Sequence, residues 1–95
     1  MWDLISACEL IRLLRPVVMS CGYDIALAGG VLNAGHSDKD LDLVAVPMAR
    51  SSSKAQLALF LNSSFLVAKI HNIHNGEVYE LQHGGKSIDF IVLNH

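Results

Sequence analysis

The run Asp40-Leu41-Asp42-Leu43 constrains this chain more than any other segment, because its alternation of charge and hydrocarbon fits an extended strand. Side chains two apart on a strand share a face, so Asp40 and Asp42 point one way while Leu41 and Leu43 point to a core. Asp89 repeats the pattern between Ile88 and Phe90, in a segment otherwise apolar, where a lone ionised group is costly. The pair Gly29-Gly30 lies ten residues before Asp40, at the end of another apolar run. Three carboxylates on one patch repel, and at least one must take up a proton unless a cation neutralises the group. Magnesium or manganese fits that need, since both prefer oxygen ligands and accept phosphate oxygens as further ligands.

The chain has 95 residues, which predicts one domain over 1–95 with a single core. Apolar residues make up 52% and charged residues 17%, enough hydrocarbon that part of it is expected at an interface with a protein partner or another copy. The net charge is −2 and lysine and arginine form no run, which argues against a strong nonspecific grip on DNA or RNA. Cys8 and Cys21 match neither a disulfide framework nor a zinc spacing, so both are read as reduced core residues of a cytoplasmic protein. No secretory signal is read, and the longest stretch without charge, Ala55 to Ala68, is too short to span a bilayer, so no membrane role is expected.

From Trp2 to Leu14 the polar residues Asp3, Ser6, Glu9, Arg12 and Arg15 recur every third position, predicting a helix buried on most sides. Pro16 is expected to break or restart it, and the second turn to close near Gly22. Tyr23 to Ala28 predicts a strand, Val31 to Gly35 one helical turn, and Asp40 to Val46 a strand stopped by Pro47. Ser51-Ser52-Ser53 offers caps for a helix over Lys54 to Leu61. Phe65 to Ile70, Glu77 to His83 and Ser87 to Leu93 predict three strands joined by the turns His74-Asn75-Gly76 and His83-Gly84-Gly85-Lys86. The fold class expected is α+β, a mixed or antiparallel five-stranded sheet with packed helices.

Each motif has a structural alternative. Gly29-Gly30 also serves as a simple turn, Asp40 and Asp42 also protect an exposed strand edge, and Asp89 also suits the wet side of a sheet. The spacing His71-x-x-His74 with His83 lacks the pattern of a zinc motif, so these histidines are read as solvated turn residues. His36, between the glycines and the aspartates, is the histidine expected closest to a bound nucleotide.

The run Leu27-Ala28-Gly29-Gly30, then Ser37-Asp38-Lys39-Asp40-Leu41-Asp42-Leu43, and later Ile88-Asp89-Phe90 resembles the DNA polymerase β nucleotidyltransferase superfamily, especially its small single-domain members, among them bacteriophage proteins. The resemblance implies a metal-dependent transfer of a nucleoside monophosphate from a nucleoside triphosphate, such as ATP, to a hydroxyl acceptor. It implies that Asp40 and Asp42 bind both of two Mg²⁺ or Mn²⁺ ions and Asp89 one of them, while Gly29 and Gly30 hold the triphosphate. Asp89 is then the candidate general base, and Lys39, Lys54 and Lys86 are candidate phosphate contacts. Two positions depart from the pattern. Leu32-Asn33 stands where members acting on RNA ends carry Arg-Asp, and Gly30 stands where minimal antitoxin-like members carry serine. No acceptor-binding helical domain is recognised either. The acceptor therefore stays open among a small molecule, a protein and an RNA end, and a catalytically degenerate module that regulates a protein partner is the alternative function.

Overall fold

Asp3 starts the first helix by a reciprocal cap: its Oδ1 accepts from the Ser6 backbone N–H at 2.8 Å, and Ser6 Oγ accepts from the Asp3 N–H at 3.1 Å. The computed structural model describes residues 1–37, 40–48 and 52–94. Ahead of that cap, β1 (Trp2–Asp3) pairs antiparallel with β3 (His36–Ser37). Helix α1 (Leu4–Ser20) buries Ala7, Leu10, Leu14 and Val18, a stripe spaced by three and four residues. The opposite side is exposed, including Ile5, Leu13, Met19 and Cys8. Two expectations are thereby corrected. The helix is amphipathic instead of buried on most sides, and of the two cysteines only Cys21 is a core residue.

Pro16 does not break α1, which runs through it without interruption. The proline ring is exposed, so the Arg12 carbonyl, which loses its i+4 donor, lies on the side that water reaches. The helix ends as expected at Gly22, whose φ of 87° lies in the left-handed region and whose N–H donates to the Met19 carbonyl at 2.9 Å. A Cβ there would also run into Ser52.

Strand β2 (Tyr23–Ala28) leads directly into the short helix α2 (Gly29–Ala34), and β4 (Leu41–Pro47) follows. Helix α3 (Lys54–Ser64) is capped by Ser53, whose side chain accepts from the Gln56 N–H at 3.2 Å. It runs three residues past the predicted Leu61. Asn62 and Ser63 donate back to the Ala58 and Leu59 carbonyls, each at 2.8 Å, so polar side chains extend the last turn. Strands β5 (Leu66–Ile73), β6 (Gly76–His83) and β7 (Lys86–Leu93) complete the chain as two hairpins.

The described residues form a five-stranded mixed sheet in the order β2-β4-β7-β6-β5, so the fold is α+β. Only β4 and β7 are parallel, because the chain leaves β4 through α3 and the β5-β6 hairpin before returning beside it. One sheet face carries Leu41, Leu43, Ala45, Ile88 and Phe90, all at 0% exposure, and Val92, joined in one core with the buried stripes of α1 and α3. The other face carries Asp42, Val44, Asp89 and Ile91, all half-buried. Among the described residues no helix is long and apolar enough to cross a membrane.

Candidate active site

The parallel register between β4 and β7 sets Asp42 opposite Asp89. Their neighbours fix that alignment: Leu41 pairs with Ile88 and Leu43 with Phe90, and all four side chains are sealed in the core. Slipping either strand by one residue would drive a carboxylate into hydrocarbon. Asp40 lies just before β4 and keeps the same alternation, and its side chain is within reach of a hydrogen bond with Asp89 when one of the two is protonated. The three carboxylates named from the sequence therefore lie on one side of the sheet, away from α1 and α3.

Burial and the neighbouring negative charges raise the affinity of Asp89 and Asp42 for protons. Asp89 is pushed up to about 6, first by burial, then by the negative charges of Asp40, Asp42 and Glu80, with the bond to Asp40 in the same direction. Asp42 is raised by burial and then by Asp40. Glu80 is a fourth carboxylate in this row, standing opposite Asp89 on β6 and paired with His71 Nδ1 at 3.3 Å. The sequence reading missed it, although a signal was present. The two-residue turn at Gly84-Gly85 pairs His83 with Lys86, and counting back along both strands brings Glu80 to Asp89. Lys69 is the next residue across, opposite Glu80 on β5.

Gly29 packs directly on this cluster. Its φ is 67°, and a Cβ added there would overlap Asp42 Oδ2, so the glycine leaves the space that the carboxylate fills. A Cβ on Gly30 would meet only ordinary contacts, the nearest being the His36 carbonyl and the Ser37 side chain at 3.6 Å. Ala28, at the N-cap of α2, offers no side-chain cap to the amides that follow.

The remaining candidates are distributed differently. Lys39 lies outside the described residues. Lys54 is not a phosphate contact: its ammonium donates to Glu77 Oε2 at 2.7 Å and to Asn94 Oδ1. Lys86 lies over the Trp2 ring, 4.8 Å from its centre, and its place in the alternation is with Ile88 and Phe90, on the face opposite Asp89. His36 is exposed opposite Asp3, and it is Ser37 whose side chain approaches Gly30. Of the histidines read as turn residues, only His74 lies in a turn. His71 is on β5, and the ring of His83 stands edge-on to Phe65 at 5.4 Å.

Among the described residues no group of three His, Cys, Asp or Glu side chains is drawn together tightly enough to grip a metal ion as it stands. The donor chemistry nevertheless fits a hard divalent cation. Asp40, Asp42 and Asp89 offer only oxygen ligands, and the burial and like charge that raise Asp42 and Asp89 are the imbalance a dication would relieve. No protein-family model matches the chain, and no curated protein matches it.

Proposed function

We propose that this chain is a metal-dependent nucleotidyltransferase of the small polymerase-β-like type, with Asp40, Asp42 and Asp89 holding Mg²⁺ or Mn²⁺. The observation that carries the reading is the register of Asp42 with Asp89 on parallel strands, joined by Asp40 and backed by Gly29. When bound, the divalent ions supply positive charge for the attacking and leaving oxygens. The chain's own part is to hold the reactants and move one proton. Gly29 leaves the room that the Asp42 carboxylate fills, and with Gly30 it would present only backbone to the triphosphate at the start of α2. The acceptor hydroxyl attacks the α-phosphorus of the nucleoside triphosphate, a new P–O bond forms, and the bond to pyrophosphate breaks. The hydroxyl proton passes to Asp89.

Titration calorimetry of the folded protein with each nucleoside triphosphate, with and without MgCl₂ or MnCl₂, tests this reading. Metal-dependent binding of at least one triphosphate, lost in Asp42→Asn, is the expected result. No metal-dependent binding to any of the four, with the fold intact by circular dichroism, overturns it.

A further inference from the structure

Helix α1 shows solvent an apolar surface that its own chain does not cover. Leu13 is 74% exposed, Ile5 72% and Met19 54%, with Leu4, Val17 and Cys8 beside them. A shallow groove of about 710 Å³ runs along this side, lined by Cys8, Ile11, Arg12, Arg15, Pro16 and Met19. The helix turns about 100° per residue, so the direction opposite the buried stripe of Ala7, Leu10, Leu14 and Val18 is flanked by Ile5, Glu9, Arg12 and Pro16.

Those four residues are arranged symmetrically. Ile5 and Pro16 are equally far from the midpoint between Leu10 and Ile11, as are Glu9 and Arg12, Cys8 and Leu13, and Leu4 and Val17. A second copy laid antiparallel across a two-fold axis at that midpoint sets Glu9 against the partner's Arg12, and Arg12 against the partner's Glu9. Ile5 then meets the partner's Pro16, while Leu13 and Cys8 border the contact on its two flanks. Among the described residues neither Glu9 nor Arg12 has an ion-pair partner within the chain, whereas Arg15 is held by Asp24 at 3.0 Å. Moving the axis to oppose Glu9 and Arg15 would place Arg12 on its own copy. The charges therefore select one register.

We propose that the chain forms a symmetric dimer by antiparallel packing of α1 on α1, with Glu9 and Arg12 paired twice across the two-fold axis. The occupant of the apolar face is a second copy of this chain. Because α1 packs on the sheet face opposite Asp42 and Asp89, both carboxylate clusters stay open in the dimer.

Sedimentation equilibrium of the full chain from about 1 to 300 μM tests it. The expected dissociation constant is roughly 1–100 μM, since one helix pair covers less surface than a standard interface. Glu9→Arg or Arg12→Glu alone, which set like charges face to face, should each weaken the dimer at least about fivefold, and the double variant should recover to within about threefold of the parent. Ile5→Lys with Leu13→Lys should leave only monomer. These side chains are exposed, and circular dichroism checks that each variant keeps its fold. A monomer at all concentrations overturns the proposal, as does a dimer indifferent to Ile5→Lys with Leu13→Lys, or a double charge variant as weak as the single ones. A chain that stays monomeric but binds vesicles of equal phosphatidylcholine and phosphatidylglycerol through α1 also overturns it.

Discussion

Asp42 Oδ2 lies in the space that a side chain at position 29 would need, so the glycine and the carboxylate are coupled. Gly29→Ala must either shift Asp42 or move the start of α2, and it forces alanine to a φ of 67°. A loss of about 1–3 kcal/mol in urea unfolding is expected, together with weaker metal binding. Asp42→Asn acts in the other direction on stability, because it removes one of the like charges that raise Asp89. It should leave the melting temperature unchanged or higher while weakening metal-dependent triphosphate binding at least about thirtyfold, as read by calorimetry. A module that works only by occupying a partner would keep its binding in this variant. Asp40, Asp42 and Asp89 were legible in the chain because each sits in an alternation whose apolar half must be buried. Cys8 and Lys54 were not: Cys8 falls on the side of α1 turned away from the sheet, and Lys54 finds Glu77 and Asn94, residues that no local pattern brings to it.

At the scale of elements, strands β2, β4, β6 and β7 were readable from hydrophobic runs ended by glycine, proline or tight turns. The two-residue strands β1 and β3 were not, because Trp2–Asp3 and His36–Ser37 have no repeating pattern and pair only once α1 and α2 are in place. Pro16 shows the same limit. Its effect depends on which side of α1 it occupies, and only the packed structure puts it on the exposed side. Proline in a helix interior still removes the hydrogen bond to Arg12. Pro16→Ala is therefore expected to raise stability by about 1–2 kcal/mol, the restored bond and better helix propensity outweighing the greater freedom of the unfolded chain. Urea unfolding at low micromolar concentration measures it, and a less stable variant would mean that the ring makes contacts the fold depends on.

For the whole molecule, the carboxylate cluster sets how stability depends on pH. Asp89 takes up its proton at about 6 in the folded chain and near its ordinary value of 3.8 when unfolded, so between these values the folded chain binds more protons. Its favourable contribution is fully present below 3.8 and is lost as pH rises through 6. Asp42, raised by burial and by Asp40, acts in the same sense. Asp24 acts in the opposite one. Its carboxyl is held below the ordinary range by the hydrogen bond from Arg15, then by the Ile25 N–H, so that stabilisation is lost as the solution becomes more acid. The metal-free protein should consequently be most stable near pH 5, by linkage of these two trends. After discounting for solvent around the half-buried Asp89, the difference between pH 5 and pH 7.5 is on the order of 1 kcal/mol, or about 4–8 °C in Tm for a chain of this size. Asp89→Asn should raise Tm at pH 7.5 and flatten the slope between these two values. Mg²⁺ should raise the parent's Tm at pH 7.5 more than at pH 5, because protons and the cation compete for the same oxygens. Differential scanning calorimetry at the two pH values, with and without Mg²⁺, measures all of these differences, and a parent chain whose Tm is higher at pH 7.5 than at pH 5 contradicts the linkage.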